Sequence, residues 1–204
     1  MGDPKSGATP LVGDGKRILM IFGTPKTISL CHALGEAYAR GARSEGHVVR
    51  MLKLGELEFD PVLRYGYEQS QTLEPDLLEA QRQIHWAQHV VFVYPIWWGG
   101  LPALLSGFFD RVFLPGFAFK AHGRKHPSNE LLRGRTSEIL VTMDTPPRYF
   151  RWVYGAPAHR QLVRTILDFC GIKNQRLKEF GPVHSSSEEQ RQKWLREAEQ
   201  LGRV

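Results

Sequence analysis

Trp97 and Trp98 stand side by side and are followed at once by Gly99 and Gly100, just after the apolar run His-Val-Val-Phe-Val-Tyr at 89–94. Successive side chains of an extended chain face opposite sides, so two adjacent tryptophans at a strand end do not both enter one core. Aromatic surface next to glycine backbone suits a flat ligand; a hydrophobic corner or a dimer contact is the alternative. A second stretch, Gly-Thr-Pro-Lys-Thr-Ile-Ser at 23–29, follows the apolar run at 17–22. Small and hydroxyl-bearing residues at a helix start offer a phosphate free N–H groups and the positive end of the helix dipole. Lys26 adds charge. The glycine spacing of a dinucleotide fingerprint or a P-loop is absent, and an ordinary turn remains the alternative. The third stretch, Thr-Met-Asp-Thr-Pro-Pro at 142–147, closes another apolar run.

Other reactive residue types point nowhere in particular. Cys31 and Cys170 are too few for a disulfide framework and lack metal-type spacing, so they read as buried free thiols. His85 and His89 are four apart, as are His122 and His126. The first pair straddles a helix end and the second has no acidic or thiol companion, so no metal site is expected. The net charge of +6 comes from basic residues interleaved with acids, without the long basic run of a nucleic-acid binder. The densest cluster, Lys120, Arg124, Lys125 and His126, reads as a solvated loop or as an attractor for a phosphorylated anion.

The elements that must position the three stretches follow from periodicity. Residues 17–22 form a continuous apolar strand, and Ser29 caps a helix through about 44, with Leu30, Leu34, Ala37 and Tyr38 on one face. A strand at 47–52, an irregular stretch at 55–71 and a helix at 74–86 come next. The strand at 89–94 leads through 95–102 into a helix ending at 112. The connection 114–135 is long enough to suggest function. A strand at 136–143, a helix at about 156–170 closed by Gly171, and a strand at 173–180 complete the alternation. Ser186 and Glu189 form a capping box for a last helix to about 201.

Five β-α repeats predict an α/β fold: a doubly wound parallel sheet of order 2-1-3-4-5 with helices on both faces. Such a sheet binds ligands outside the carboxyl ends of strands 1, 3 and 4, where the three stretches fall. One domain is expected over 17–204. Residues 1–16, rich in Gly, Pro and Asp, read as a disordered arm or a cloning remnant rather than a signal peptide, so the expected compartment is the cytoplasm. No apolar run is long enough to span a membrane.

The stretch 94–119 resembles the NAD(P)H:quinone oxidoreductase family of flavodoxin-like fold. The resemblance rests on Pro95, Trp97, Trp98, Pro102-Ala103, Phe109-Asp110-Arg111-Val112 and Gly116-Phe117-Ala118-Phe119. The run Ile166-Leu167-Asp168-Phe169-Cys170-Gly171 extends it, and about 17–180 is covered. It implies a flavoenzyme with FMN or FAD that takes hydride from NAD(P)H and reduces a quinone-like acceptor, as a homodimer. By the same resemblance, Gly23, Thr24, Lys26, Ser29 and Leu30 match the flavin-phosphate loop. Pro95, Ile96, Trp97, Trp98 and Gly99 match the segment along the isoalloxazine, and Thr142, Met143, Asp144 and Thr145 the loop near its pyrimidine edge. The family's third loop is commonly Thr-Thr-Gly-Gly, from which this chain departs, as in a bacterial-type branch. The family's catalytic Tyr/His pair leaves Tyr149, Tyr154 and His159 as candidates, with Tyr149 and His159 taken as the pair. A flavodoxin-type electron carrier and a flavin-binding regulatory module are the alternatives; the basic charge and paired tryptophans disfavour the carrier.

Overall fold

The computed structural model describes residues 15–120 and 130–203. Most of the expected N-terminal arm, together with His122, Arg124, Lys125 and His126, lies outside them. Five strands, β1 (Arg17–Phe22), β2 (Val48–Lys53), β3 (His89–Pro95), β4 (Thr136–Thr142) and β5 (Lys173–Phe180), form one sheet. Its order is β2-β1-β3-β4-β5 and every pairing is parallel, as the alternation of elements predicts.

Both faces of the sheet are covered, which is why β1 and β3 read as unbroken apolar runs. Leu19, Ile21, Phe92, Tyr94, Ile139 and Val141 face α2 (Pro75–Trp86) and α3 (Ala103–Val112). Their alternate neighbours Ile18, Met20, Phe22, Val91, Val93 and Leu140 face α1 (Leu30–Ser44) and α7 (Glu188–Gly202). A strand's period of two accounts for the division.

Three local readings are corrected. The cap of α7 is Ser187, whose hydroxyl accepts from Gln190 N–H at 3.1 Å; Ser186 instead donates to the Val183 carbonyl. Three serines stand in a row, and the last of them, not the middle one, takes the cap. A short helix, α4 (Pro147–Trp152), begins where only loop was expected. Pro147 at its first position was the available signal, since the missing proline N–H costs nothing there. Finally, the helix expected at 156–170 is wound in three pieces: α5 (Pro157–Arg160), a π-helical stretch (Gln161–Leu167) and α6 (Asp168–Cys170). Ala156 stands before it with φ +48°, outside the helical region.

Candidate functional site

The three stretches leave β1, β3 and β4 at their carboxyl ends, on one edge of the sheet. Cross-contacts tie them together. Gly23 N–H donates to the Val93 carbonyl at 2.9 Å, and Ile96 N–H to the Thr142 carbonyl at 2.8 Å. A Cβ on Gly23 would lie 2.7 Å from the buried Leu105 side chain, so glycine lets α3 pack against the first loop without displacing that side chain.

In the first loop, Thr24 is buried and its hydroxyl accepts from Lys26 N–H at 3.3 Å, while the Lys26 side chain is exposed. Ser29 caps α1 as expected, accepting from His32 N–H at 3.2 Å. The N–H groups of Leu30 and Cys31 have no acceptor among the described residues. A fifteen-residue helix thus aims free donors and its positive end at the loop. Cys31 lies beside Thr142, and burial pushes its thiol up to about 12; burial does the same to Cys170. Both cysteines are buried and free, as the sequence predicts, and neither supplies a thiolate near neutral pH.

The second loop is a tight turn. Trp97 N–H donates to Gly100 O at 3.2 Å and Gly100 N–H to Trp97 O at 2.9 Å, leaving Trp98 and Gly99 at the corner. Both corner residues have positive φ, +52° and +73°, as a type I′ turn requires. Glycine adopts this freely; for tryptophan it costs about 1–2 kcal/mol. The strain holds the Trp98 ring fully out in solvent, beside a Trp97 that is 42% exposed. A hydrophobic corner would bury these rings, so that alternative fails. The Trp97 N–H is committed to the turn; those of Trp98 and Gly99 have no acceptor among the described residues.

The third loop is braced from below. Met143 N–H donates to the Phe180 carbonyl at 3.0 Å, and Asp144 Oδ1 accepts from His184 N–H at 2.6 Å. The Asp144 carboxylate therefore holds the loop in place. With Pro146 and Pro147 following, the remaining donors are the Asp144 and Thr145 N–H groups, which have no acceptor among the described residues.

Between the second and third loops lies an open cavity of about 630 Å³ lined by Ile96, Trp97, Trp98, Gly99, Met143, Asp144, Thr145, Tyr154 and Pro157. That volume suits an organic cofactor or substrate. The structure thus gathers seven of the residues singled out in these two loops, and adds Tyr154 from the turn before α5 and Pro157 from its first position. Pro95 and Thr142 end their strands just behind it, and the first loop flanks it. Tyr149 does not line the cavity; it is half-exposed and packs edge-on to Tyr154 at 5.2 Å. His159 does not line it either. It packs against Phe150, its ring centre 5.1 Å away, and its Nε2 lies 2.9 Å from Glu179 Oε1.

Glu179, near the end of β5, is a functional-site support that sequence reading passed over. Its buried carboxylate joins His159 to Arg151, which donates through Nε at 2.7 Å and through Nη2. Burial alone would raise its pKa, but hydrogen bonds from His159 and Arg151, with their charge, outweigh that and hold it below the usual glutamate range. The cluster clamps α4 to α5 and so fixes the intervening turn that carries Tyr154. A charged residue at a strand end gives no sign of this in one dimension.

The described members of the two spaced histidine pairs, His85 and His89, make contacts within the fold. His85 ends α2 against the Phe117 ring and contacts Arg135, and His89 opens β3 with Nδ1 2.7 Å from Thr136 Oγ1.

A family model described as flavodoxin-like fold matches residues 16–201. An uncharacterized NAD(P)H oxidoreductase of Haemophilus influenzae is 28% identical, over 81% of this chain and 84% of that protein. The ribosyldihydronicotinamide dehydrogenase [quinone] of Rattus norvegicus is also 28% identical, over 89% of this chain and 88% of that protein. A protein of Streptococcus mutans with a solved structure is 31% identical and superposes with a TM-score of 0.74, over 92% of this chain and 98% of that one.

Proposed function

Because the chain belongs to the flavodoxin-like fold family, we propose that it is a flavin-dependent NAD(P)H oxidoreductase that reduces a quinone or similar acceptor by two electrons. The observation that carries this reading is the cavity at the carboxyl ends of β3 and β4, beside the switch point of the sheet, bordered by four N–H groups without acceptors among the described residues and an exposed aromatic pair. The residues fit a flavin. Bound there, it supplies hydride acceptance from NAD(P)H and delivery to the acceptor.

The chain's own residues then orient and stabilise. The start of α1 and Lys26 receive the phosphate. Trp97 and Trp98 form the platform, and the Trp98 and Gly99 N–H groups reach one edge of the ring system. The Asp144 and Thr145 N–H groups stabilise negative charge at the other edge, as preorganised donors do. The Tyr154 hydroxyl, at the cavity wall, is the proton donor toward the acceptor oxygen, with Tyr149 packed behind it. His159 acts through its Glu179 clamp on that turn. FMN and FAD share the isoalloxazine and first phosphate, which is all that the three loops address; identifying the flavin released from purified protein decides between them.

No helix among the described residues is long and apolar enough to cross a membrane, and a cytoplasmic enzyme is the reading we adopt. The same sheet edge and its flank expose Ile28, Trp98 and Trp152, each more than four-fifths accessible. Apolar surface of this kind favours a homodimer. Light scattering at micromolar concentration should give twice the chain mass, and a monomer would end that part of the reading.

The site itself is tested on Trp97→Ala and Trp98→Ala. Purified wild type with added flavin should show the visible bands of oxidised flavin and oxidise NAD(P)H with a quinone. Each variant should lose about 1 kcal/mol or more in flavin or acceptor binding, as loss of a stacking surface implies. Trp98→Ala should unfold within about 0.5 kcal/mol of wild type, since the ring contacts little in the free protein. Unchanged flavin affinity and turnover in both variants would place the active site elsewhere.

A further inference from the structure

At the opposite edge of the sheet, by the amino ends of β1, β3, β4 and β5, lies a second cavity of about 460 Å³. Lys16, Tyr38, His89, Glu138, Lys173 and Arg176 line it. None of them belongs to the oxidoreductase site, which sits at the carboxyl ends of the strands. Glu138 is the unusual member. It is a carboxylate in a central, fully covered strand, 4% exposed, and its Oε2 has no hydrogen-bond partner among the described residues. Its nearest cation, Arg176 Nη2, stays 3.7 Å from Oε1. Burial pushes the carboxyl above its ordinary range, with Arg176, the Tyr38 hydroxyl and Lys16 opposing.

A buried acid without full compensation is costly, and the next positions of β4, Ile139, Leu140 and Val141, are filled by apolar residues at no such cost. The backbone is altered at the same point. Ser137 pairs with Asn174 but Glu138 pairs with Arg176, so Gln175 is an extra residue in β5. Such bulges re-aim side chains beside binding sites. Lys16 and Lys173 make no ion pair among the described residues, so the rim carries free positive charge.

The two signs together decide the ligand class. A simple cation would meet Glu138 but be repelled by Lys16, Lys173 and Arg176. A simple anion would meet those cations but leave Glu138 Oε2 without a donor. We propose that this cavity binds a small zwitterion, with its ammonium on Glu138 and its phosphate or carboxylate among Lys16, Lys173 and Arg176. The site is separate from the flavin loops and independent of the oxidoreductase reading.

Calorimetry of the full-length protein with phosphoethanolamine and with β-alanine tests it and separates the phosphate from the carboxylate source. At least one should give a saturable heat by about 10 mM, with orthophosphate and ethylamine about tenfold weaker. Glu138→Gln removes a buried charge while keeping shape, so it should fold, as the cooperativity of unfolding will show. It should weaken zwitterion binding about tenfold, as should Lys173→Met, which lies at an exposed strand start and guards against misfolding of the first variant. The flavin spectrum should be unchanged in both. No saturable heat with either zwitterion overturns the proposal. So does orthophosphate binding as tightly as phosphoethanolamine, or undiminished binding in Glu138→Gln; both would describe an anion held by a neutral acid.

Discussion

Arg111→Met should lower the free energy of unfolding by about 3–5 kcal/mol, the cost of breaking a buried ion pair by removing one partner. The Arg111 side chain is completely buried and anchors the long irregular segment before α2. Its Nη2 donates to Glu74 Oε2 at 2.7 Å and to the Thr72 carbonyl at 3.0 Å, while Nη1 reaches Glu74 Oε1 at 3.2 Å and the Asp60 carbonyl. Methionine fills much of the volume but leaves the Asp60 and Thr72 carbonyls without the Arg111 donors and the Glu74 carboxylate without its cation, with Asp60 N–H still donating to Glu74 Oε1 at 3.0 Å. Glu74 keeps 28% of its side-chain surface in water, which places the loss toward the lower end of the range. Urea titrations give the midpoint and slope, and Arg111→Met combined with Glu74→Gln should recover part of the loss. A drop below about 1 kcal/mol would reduce the pair to the worth of a surface salt bridge. Flavin affinity of the folded fraction should not change, because Arg111 lies at the far end of α3 from the tryptophan turn.

Arg111 also shows what a sequence motif carries. The run Phe109-Asp110-Arg111-Val112 helped to identify the family, yet its arginine acts in folding, not in chemistry. The strands were legible because a parallel sheet covered on both faces demands unbroken apolar runs, and β1 and β3 supply them. Ser29 was legible as a cap because a serine directly before a helical period has one common use. The loops that follow β1, β3 and β4 could be located from element order alone. What could not be read was conformation set by tertiary contact. The positive φ of Trp98 has no signature beyond the glycine after it, and the turn's exposure decides whether the pair is platform or core. Likewise, Tyr149, Tyr154 and His159 were equivalent in sequence. Only the path through α4 and the strained Gly155-Ala156 step brings Tyr154 to the cavity wall and turns His159 toward Glu179.

Stability should fall as the pH drops from about 6.5 to 4, and His89 should be a main cause. Burial lowers its pKa to about 4, and the positive charges of Lys16, His47 and Arg176 act in the same direction. In the unfolded chain the imidazole titrates near 6.5. Between these values the unfolded state binds more protons than the native one, so the contribution is present in full above 6.5 and is lost toward 4. The total is on the order of 3 kcal/mol, with a slope no steeper than about 1.4 kcal/mol per pH unit for one proton. Neighbouring Glu138 works the other way: its raised pKa makes the native state the tighter proton binder above the ordinary glutamate range, and so opposes His89 in part of the same interval. Glu179 and Glu74, both held low, lose their contributions only as the pH falls below the ordinary glutamate range, which separates them from the histidine window. The comparison is therefore between variants. Unfolding free energies of His89→Gln should show a flatter or reversed dependence between pH 4.5 and 6.5, whereas Glu138→Gln should steepen it. Parallel curves for wild type and His89→Gln across that interval would mean that the native imidazole protonates in place, and that water reaches it through the second cavity.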